Sequence, residues 1–317
     1  MEPGLIHEIL HSGASRKAGG KVMNWKTILW LGLSGILFFG SYEAGARPVV
    51  AMLTDFGLEN EAVGLCHGAI LSIDSNIEVV DLCHSAEPYN IRKASLMLKR
   101  SNSFPKGTVF VGVIDPGVGT ARTGIAIKTH QGYFFVAPNN GLLSEVIHTQ
   151  GVDRAVRLVE KRVNPNWKSG TFDGRDLFSP AAALLASASG DLDRVGIPVE
   201  ISEIELLPKI QAQIDLEKKS ITGHFLLTDK PYGNVWTDIT QADLEAIGCE
   251  LGGKVLVKAG SHERILPWVV SFGHVPEGEP LAYIASGDTL ALAINMGDFR
   301  KAWGLEEGCT ITVRTAQ

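Results

Sequence analysis

The chain has 317 residues, 45% of them hydrophobic and 20% charged, with a formal net charge of −6. This is globular composition with apolar mass enough for one large or two medium cores. The acidic balance and the lack of any Lys/Arg-rich run argue against nucleic-acid binding, because phosphate contacts need clustered cations; the 35 glycines, about 11% of the chain against a usual 7%, point to many tight turns.

Residues 1–22 are polar and aperiodic, and Met23 suits a translation start better than Met1. Lys26 precedes a 13-residue apolar run over 28–40, too short to span a bilayer comfortably, and Ala44-Gly45-Ala46 follows as a small-residue step. Together these read as a secretory leader over residues 1–46, cleaved after Ala46, which predicts an exported or periplasmic protein. An uncleaved membrane anchor and a cytoplasmic location are the alternatives.

From Pro48 onward strands and helices alternate. PVVAMLTDF (48–56) is a buried strand feeding a polar loop, NEAVGLCHGAILSI (60–73) has helical spacing, and IEVVDLCH (77–84) is a second strand. PYNIRKASLMLKR (88–100) reads as a helix opened by Pro88, with apolar positions at Ile91, Ala94, Leu96 and Leu98. GTVFVGVID (107–115) is a third strand, GIAIKTHQGYFFVAP (124–138) a hairpin, LLSEVIHTQ (142–150) a helix, and SPAAALLASASG (179–190) an Ala-rich helix ended by Gly190. This alternation predicts an α/β domain over 47–200, its mainly parallel sheet covered by helices on both faces. Past Leu207 the runs ITGHFLLTD, KVLVKAG, ILPWVVSFG, PLAYIASG, LALAIN and CTITVRT are short and bounded by Gly, Pro or Asp. They predict an all-β domain over 208–317, an antiparallel barrel or sandwich, with the junction near 201–208.

Polar residues concentrate just after apolar strands. Asp55, in TDFG, suits two hydrogen bonds from a ribose diol, or else a turn or cap. Asp115 and Arg122 stand seven residues apart across the Gly117/Gly119 turn and are spaced to pair, either as a site or as a structural ion pair. In TFDGRD, Asp173 and Asp176 flank Arg175, and Asp176 suits a helix N-terminus. DKPYGNVW (229–236) offers Tyr232 to stack on a base and Asn234 to read its edge, or is a hairpin turn built on Gly-Asn. His67, His84, His130, His148, His224, His262 and His274 lack H-x-x-x-H or H-E-x-x-H spacing and Cys66, Cys83, Cys249 and Cys309 form no C-x-x-C, so no metal site is expected among them. The cysteines read as buried small hydrophobes, with a disulfide open if the chain is exported. No G-x-S-x-G supports a Ser hydrolase.

Seven motifs taken together, LTDFG (53–57), DLCHSAEPYNI (81–91), FPKGTVFVGVIDPGVGTAR (104–122), APNNGLL (137–143), TFDGRDLF (171–178), DKPYGNVWT (229–237) and AINMG (293–297), carry a resemblance from about Pro48 to Val313. The chain resembles the S-adenosyl-L-methionine (SAM) hydroxide adenosyltransferases, the adenosine-forming SAM hydrolases, whose superfamily includes the fluorinases and chlorinases. The resemblance implies an α/β domain followed by a β-barrel, a homotrimer with the site between subunits, SAM as substrate, and no cofactor. It implies that Asp55 grips the ribose hydroxyls, and that Asp115 and Arg122 are two members of an Asp-Arg-His triad orienting water. Asp229 would meet the methionine amino group, Asn234 the adenine, Tyr89 and Tyr232 would form aromatic walls, Trp236 shares the barrel motif, and Ser286 lies at the methionine end. Two positions depart from the pattern: Asp173 stands where the hydrolases have the triad His, and Gly287 where fluorinases have an Arg for the substrate carboxylate. APNNG and DKPYGNVW look halogenase-like, whereas halogenases carry an aromatic hydroxyl at the Asp115 position. The expected reaction is water attack at ribose C5′, with Asp115, Arg122 and Asp173 as the catalytic group. Halide transfer and non-catalytic SAM or adenosine binding are the alternatives.

Overall fold

The computed structural model describes residues 47–316, so the leader expected over 1–46 lies outside the described residues. The first sheet contains β1 (Val49–Thr54), β2 (Glu78–Cys83), β3 (Val109–Val113), β4 (Gly124–Lys128), β5 (Phe134–Pro138), β6 (Arg154–Leu158) and β7 (Gly196–Pro198), ordered β2-β1-β3-β5-β4-β6-β7. β1, β2, β3, β5 and β6 run one way; β4 and β7 run against them. The helices of this half are α1 (Ala62–Ile73), α2 (Ile91–Leu98), α3 (Ser144–Gln150), α4 (Glu160–Val163) and α5 (Ser179–Ser187).

β1 reads VVAMLT without polar alternation because both of its faces are covered. Val50 and Met52 join the cluster under α1 and α5, while Ala51 and Leu53 join the cluster under α2 and α3. Pro88 does not open α2, contrary to the sequence reading. Asn90 does, its side-chain oxygen accepting the Lys93 N–H at 3.0 Å. The Ala-rich helix ends at Ser187, and Gly190, at φ +81°, donates its N–H to Leu185 O at 2.8 Å.

The second sheet holds β8 (Gln213–Asp215), β9 (Ser220–Asp229), β10 (Asn234–Thr240), β11 (Lys254–Ala259), β12 (His262–Pro267), β13 (Pro280–Ile284), β14 (Thr289–Ile294) and β15 (Thr310–Thr315). Its order is β12-β11-β15-β9-β10-β14-β13, with β8 on β9, and its strand pairs are antiparallel. A bridge from Trp268, just past β12, to Ala282 in β13 brings the two edges together, so the sheet is a nearly closed barrel rather than a sandwich. Alternation fills it: Val255, Val257 and Ala259 of β11 point inward, while Lys254 and Lys258 face solvent. Short helices α6 (Gln241–Ala246) and α7 (Phe299–Ala302) cap the barrel. Lys93 of α2 reaches Glu307 of the barrel half at 2.9 Å, and Glu307 also accepts from Thr228. Among the described residues no helix is long and apolar enough to cross a membrane.

Candidate active site at the sheet switch point

β1 is flanked by β2 on one side and β3 on the other. This reversal of strand order is a topological switch point, and the carboxyl ends of strands at such a point are where open α/β sheets bind ligands. Thr54 pairs with Val113, so Asp55, one residue on, and Asp115, two residues on, both follow the carboxyl ends of adjacent strands. Asp55 Oδ2 accepts the Tyr89 N–H at 3.0 Å, which ties the loop after β2 to the end of β1. Tyr89 is exposed and sits at φ 64°, a conformation a bulky residue holds only where its surroundings enforce it.

The 115–122 turn is closed by Val118 N–H to Asp115 O at 3.2 Å, and Gly119 takes φ +78°. This reversal returns Arg122 to Asp115. Arg122 Nε donates to Asp115 Oδ1 at 3.1 Å, and Nη2 donates both to Asp115 Oδ2 and to Asp173 Oδ2, the latter at 2.9 Å. Asp173 Oδ1 accepts from the Trp167 indole at 3.3 Å. The guanidinium carbon lies 5.2 Å from the Phe178 ring centroid. The three charged side chains are only 6–10% exposed, so two carboxylates share one buried cation. Burial pushes the Asp115 carboxyl above its ordinary range; Arg122 pulls against this, and the neighbouring Asp173 adds to it. Asp173 opens a π-helical turn, Gly174–Phe178, that leads into α5. Of the charged residues in DGRD only Asp173 joins Arg122; Arg175 pairs with Asp176 at 2.6 and 2.7 Å.

The remaining sequence-predicted residues lie in the barrel half. Asp229, Tyr232, Asn234, Trp236 and Ser286 line one cleft of about 890 Å³. DKPYGNVW is indeed a hairpin turn, with Asp229 opposite Asn234, and it also forms the cleft wall. Asn234 Nδ2 donates to Asp229 Oδ2 at 3.0 Å. Gly233 holds φ +76°, and a Cβ there would lie 2.1 Å from Asp298 Cγ, so the turn needs glycine. The buried Trp236 indole N–H has no hydrogen-bond partner among the described residues. Burial pushes the Tyr283 phenol up to about 12. Every residue lining this cleft belongs to the barrel half; Asp55, Tyr89, Asp115, Arg122 and Asp173 do not line it.

One residue the sequence reading passed over is Arg100, whose guanidinium stacks 4.6 Å above the Trp236 ring. A Cβ added at Gly287 would lie 3.7 Å from Arg100 Cδ and 3.7 Å from Trp236, so this arginine lies against the position where the fluorinases carry theirs. Only a register linking α2 to the barrel could have pointed to it. The four cysteines are unpaired, and burial pushes the Cys66 thiol up to about 11.

Residues 50–196 match the SAM hydroxide adenosyltransferase N-terminal domain, and residues 223–312 match its C-terminal domain. The chain is 34% identical over 273 residues to the (R)-S-adenosyl-L-methionine hydrolase of Thermus thermophilus, covering 84% of this chain and 98% of that one. It is 30% identical over 296 residues to the fluorinase of Actinopolyspora mzabensis, covering 86% and 98%. The crystal structure of a conserved protein from Thermotoga maritima matches with a TM-score of 0.79 at 32% identity, covering 84% of this chain and 99% of that one. The chain belongs to the SAM hydroxide adenosyltransferase family.

Proposed function

We propose that the protein hydrolyses SAM to adenosine and L-methionine by attack of water on ribose C5′. The observation that carries this reading is the buried Asp115–Arg122–Asp173 cluster, whose Asp115 follows the strand adjacent to the one that Asp55 follows at the sheet switch point. Arg122 fixes one edge of the Asp115 carboxylate, whose remaining lone pairs accept a hydrogen bond from the attacking water. Asp173 steadies Arg122 from the other side. As the water oxygen bonds to C5′, the C5′–S bond breaks and its electron pair neutralises the sulfonium. Methionine therefore leaves as a thioether without needing an acid, and the proton lost from water passes to the Asp115 side. The protein's work is alignment, which can supply about 7–11 kcal/mol, in a dry setting that strengthens each hydrogen bond. No cofactor enters this reading.

In the same reading Asp55 accepts from the ribose hydroxyls, Tyr89 and Tyr232 stack against the nucleoside, and Asn234 reads the adenine edge. Asp229 and Ser286 meet the amino acid end, with Arg100 as the cation for its carboxylate and Trp236 as a wall. The cleft is lined by the barrel half alone, and both tyrosines are exposed. These features support a homotrimer in which the barrel of one copy covers the switch point of the next, with 47–200 and 208–317 as the two domains. The leader reading of 1–46 belongs to the same proposal and predicts a mature chain beginning at Arg47, checked by N-terminal sequencing.

The test is incubation of the purified protein with the (R) and (S) sulfonium epimers of SAM, with chromatographic detection of adenosine and methionine. Asp115→Asn abolishes adenosine release while calorimetric SAM binding survives. Full turnover in that variant refutes the role of Asp115. A 5′-halogenated nucleoside formed with chloride or fluoride would favour halide transfer, and binding without turnover in the wild type would favour a binding protein.

A further inference from the structure

Behind the loop that carries Asp55, three side chains converge that the proposed hydrolysis does not use. His67 comes from α1, Asp81 from β2, and His84 from the residue after β2. His67 Nε2 and His84 Nε2 both lie 2.8 Å from the same oxygen, Asp81 Oδ1. Positions 81 and 84 would face opposite sides of a regular strand. They meet because β2 carries an extra residue against β1: Asp81 pairs with Met52 and Cys83 with Leu53, so Leu82 is bulged and the alternation is reset.

The two histidines are not equivalent. The His67 contact has hydrogen-bond geometry. The His84 side chain is 2% exposed, and its Nε2, although close to Asp81, is off the line a hydrogen bond needs and has no hydrogen-bond partner among the described residues. A buried ring nitrogen left this way is unfavourable unless something else engages its lone pair. Its other nitrogen is engaged: Nδ1 lies 2.8 Å from the fully buried Thr54 Oγ1. In the tautomer whose Nδ1–H donates to Thr54, Nε2 carries a free lone pair on the side of Asp81. An oxygen behind one ring nitrogen that fixes the tautomer and frees the other is the support that metal-bound histidines have.

We propose that His67 Nε2, Asp81 Oδ1 and His84 Nε2 bind one divalent cation of the zinc class. Two imidazoles and a carboxylate are a donor set for zinc or a neighbouring first-row ion, and they leave a fourth position open to water on the side of His67 and Asp81, which are 28% and 46% exposed. The three donor atoms already lie within 4.8 Å of one another. Tetrahedral bonds of about 2.0–2.1 Å put neighbouring donors about 3.3 Å apart. The Asp81 oxygen therefore needs to retreat by about half an ångström from each nitrogen, and the half-exposed carboxylate and the His67 ring have room to adjust. The cation would join α1, the end of β2 and, through Thr54, the end of β1. It would stiffen the strand end from which Asp55 projects without touching the reacting atoms. Metal binding is tested independently of SAM hydrolysis, so failure of one reading leaves the other standing.

The experiment uses the full chain, stripped with chelator and titrated with Zn²⁺ by calorimetry and with Co²⁺ by visible absorption. The expected result is one ion per chain, with the ligand-field bands of a low-coordinate nitrogen/oxygen site. His67→Gln and Asp81→Asn, both at half-exposed positions, should melt like the wild type without metal and lose this binding. Thr54→Val should weaken it by about 10- to 100-fold. Zn²⁺ should raise the melting temperature of the wild type and not that of His67→Gln. Absence of stoichiometric binding overturns the proposal, and so does binding that is unchanged in His67→Gln and Asp81→Asn.

Discussion

Replacing Arg122 with Met tests whether the 115–122–173 cluster is held by charge or merely by packing. The side chains of Asp115 and Asp173 are 6% and 10% exposed, and Arg122 bonds to both. Methionine fills a similar volume but leaves two carboxylates facing each other with no cation. Breaking a buried ion network by removing one partner costs about 3–5 kcal/mol, which at about 2.1 cal/mol/K of unfolding entropy per residue is a fall of about 5–9 °C in melting temperature for a chain of this size. The loss depends on pH. Burial already raises the Asp115 carboxyl in the wild type, and Arg122 is the main force opposing it. Without Arg122 the folded value rises further. A carboxyl raised above its unfolded value holds its proton longer in the native state, so stability is lost as pH rises through the window between the two values. The deficit relative to the wild type is therefore larger at about pH 8 than at about pH 5. Thermal melts followed by circular dichroism at both pH values read this directly. The triple variant Asp115→Asn, Asp173→Asn, Arg122→Met should recover most of the loss, since a buried ion network replaced as a whole is often neutral. A deficit below about 1 kcal/mol, or one that is the same at both pH values, would refute the electrostatic account.

Three further expectations use enzyme kinetics. Asp55→Ala removes charge-assisted hydrogen bonds worth about 1.5–3 kcal/mol, so KM for SAM should rise about 10- to 150-fold; an unchanged KM removes Asp55 from the ribose. The acid limb of kcat/KM should lie above the ordinary carboxylate value of 3.8, because Asp115 must be ionised to accept from water and burial raises it; a limb at or below that value contradicts the assignment. Arg100→Met should raise KM for SAM about 10-fold while leaving that of the decarboxylated analogue unchanged, and equal effects on both substrates would mean that Arg100 only supports Trp236.

The parts of this site that were legible in the sequence are those built from local chain geometry. β1 was readable because a strand buried on both faces is an uninterrupted apolar run, and Asp55 follows from where that run stops. Asp115 and Arg122 are joined by a turn short enough for the spacing itself to suggest the pair. Asp173 lies 51 residues from Arg122, and no periodicity links them; only the motif resemblance brought it in. β10 was missed because its polar residues are buried. Thr237 Oγ1 donates to Leu290 O at 2.8 Å, and Asp238 accepts the His224 N–H at 2.6 Å, so a fully buried strand carries the composition of a loop. The His67–Asp81–His84 cluster depends on a bulge and on a helix packed beside it, and neither leaves a spacing that a motif search recognises. Pro88 illustrates the opposite error, a residue typical of a helix start displaced by Asn90, whose side chain can satisfy a free N–H.

Relatives named as hydrolase and as fluorinase match this chain at 34% and 30% identity, so identity alone does not choose the nucleophile, and the proposed site makes a prediction from its electrostatic field. With both carboxylates ionised, Asp115 and Asp173 against Arg122 leave one net negative charge in a setting with little solvent. A halide about 5 Å away would meet a repulsion of about 3 kcal/mol at an effective dielectric constant of about 20, a penalty of roughly 100-fold in occupancy. Neutral water meets no such barrier and gains an acceptor. The sulfonium substrate is attracted by the same charge, so one arrangement favours the cation that reacts and the neutral nucleophile that attacks it. Protonating Asp115 cancels the net charge and removes the acceptor together. Chloride should therefore compete best on the acid limb, where hydrolysis is failing, and product analysis across that limb measures it. A chloride product that grows toward alkaline pH would show that the Asp115–Arg122–Asp173 charge does not govern which nucleophile enters.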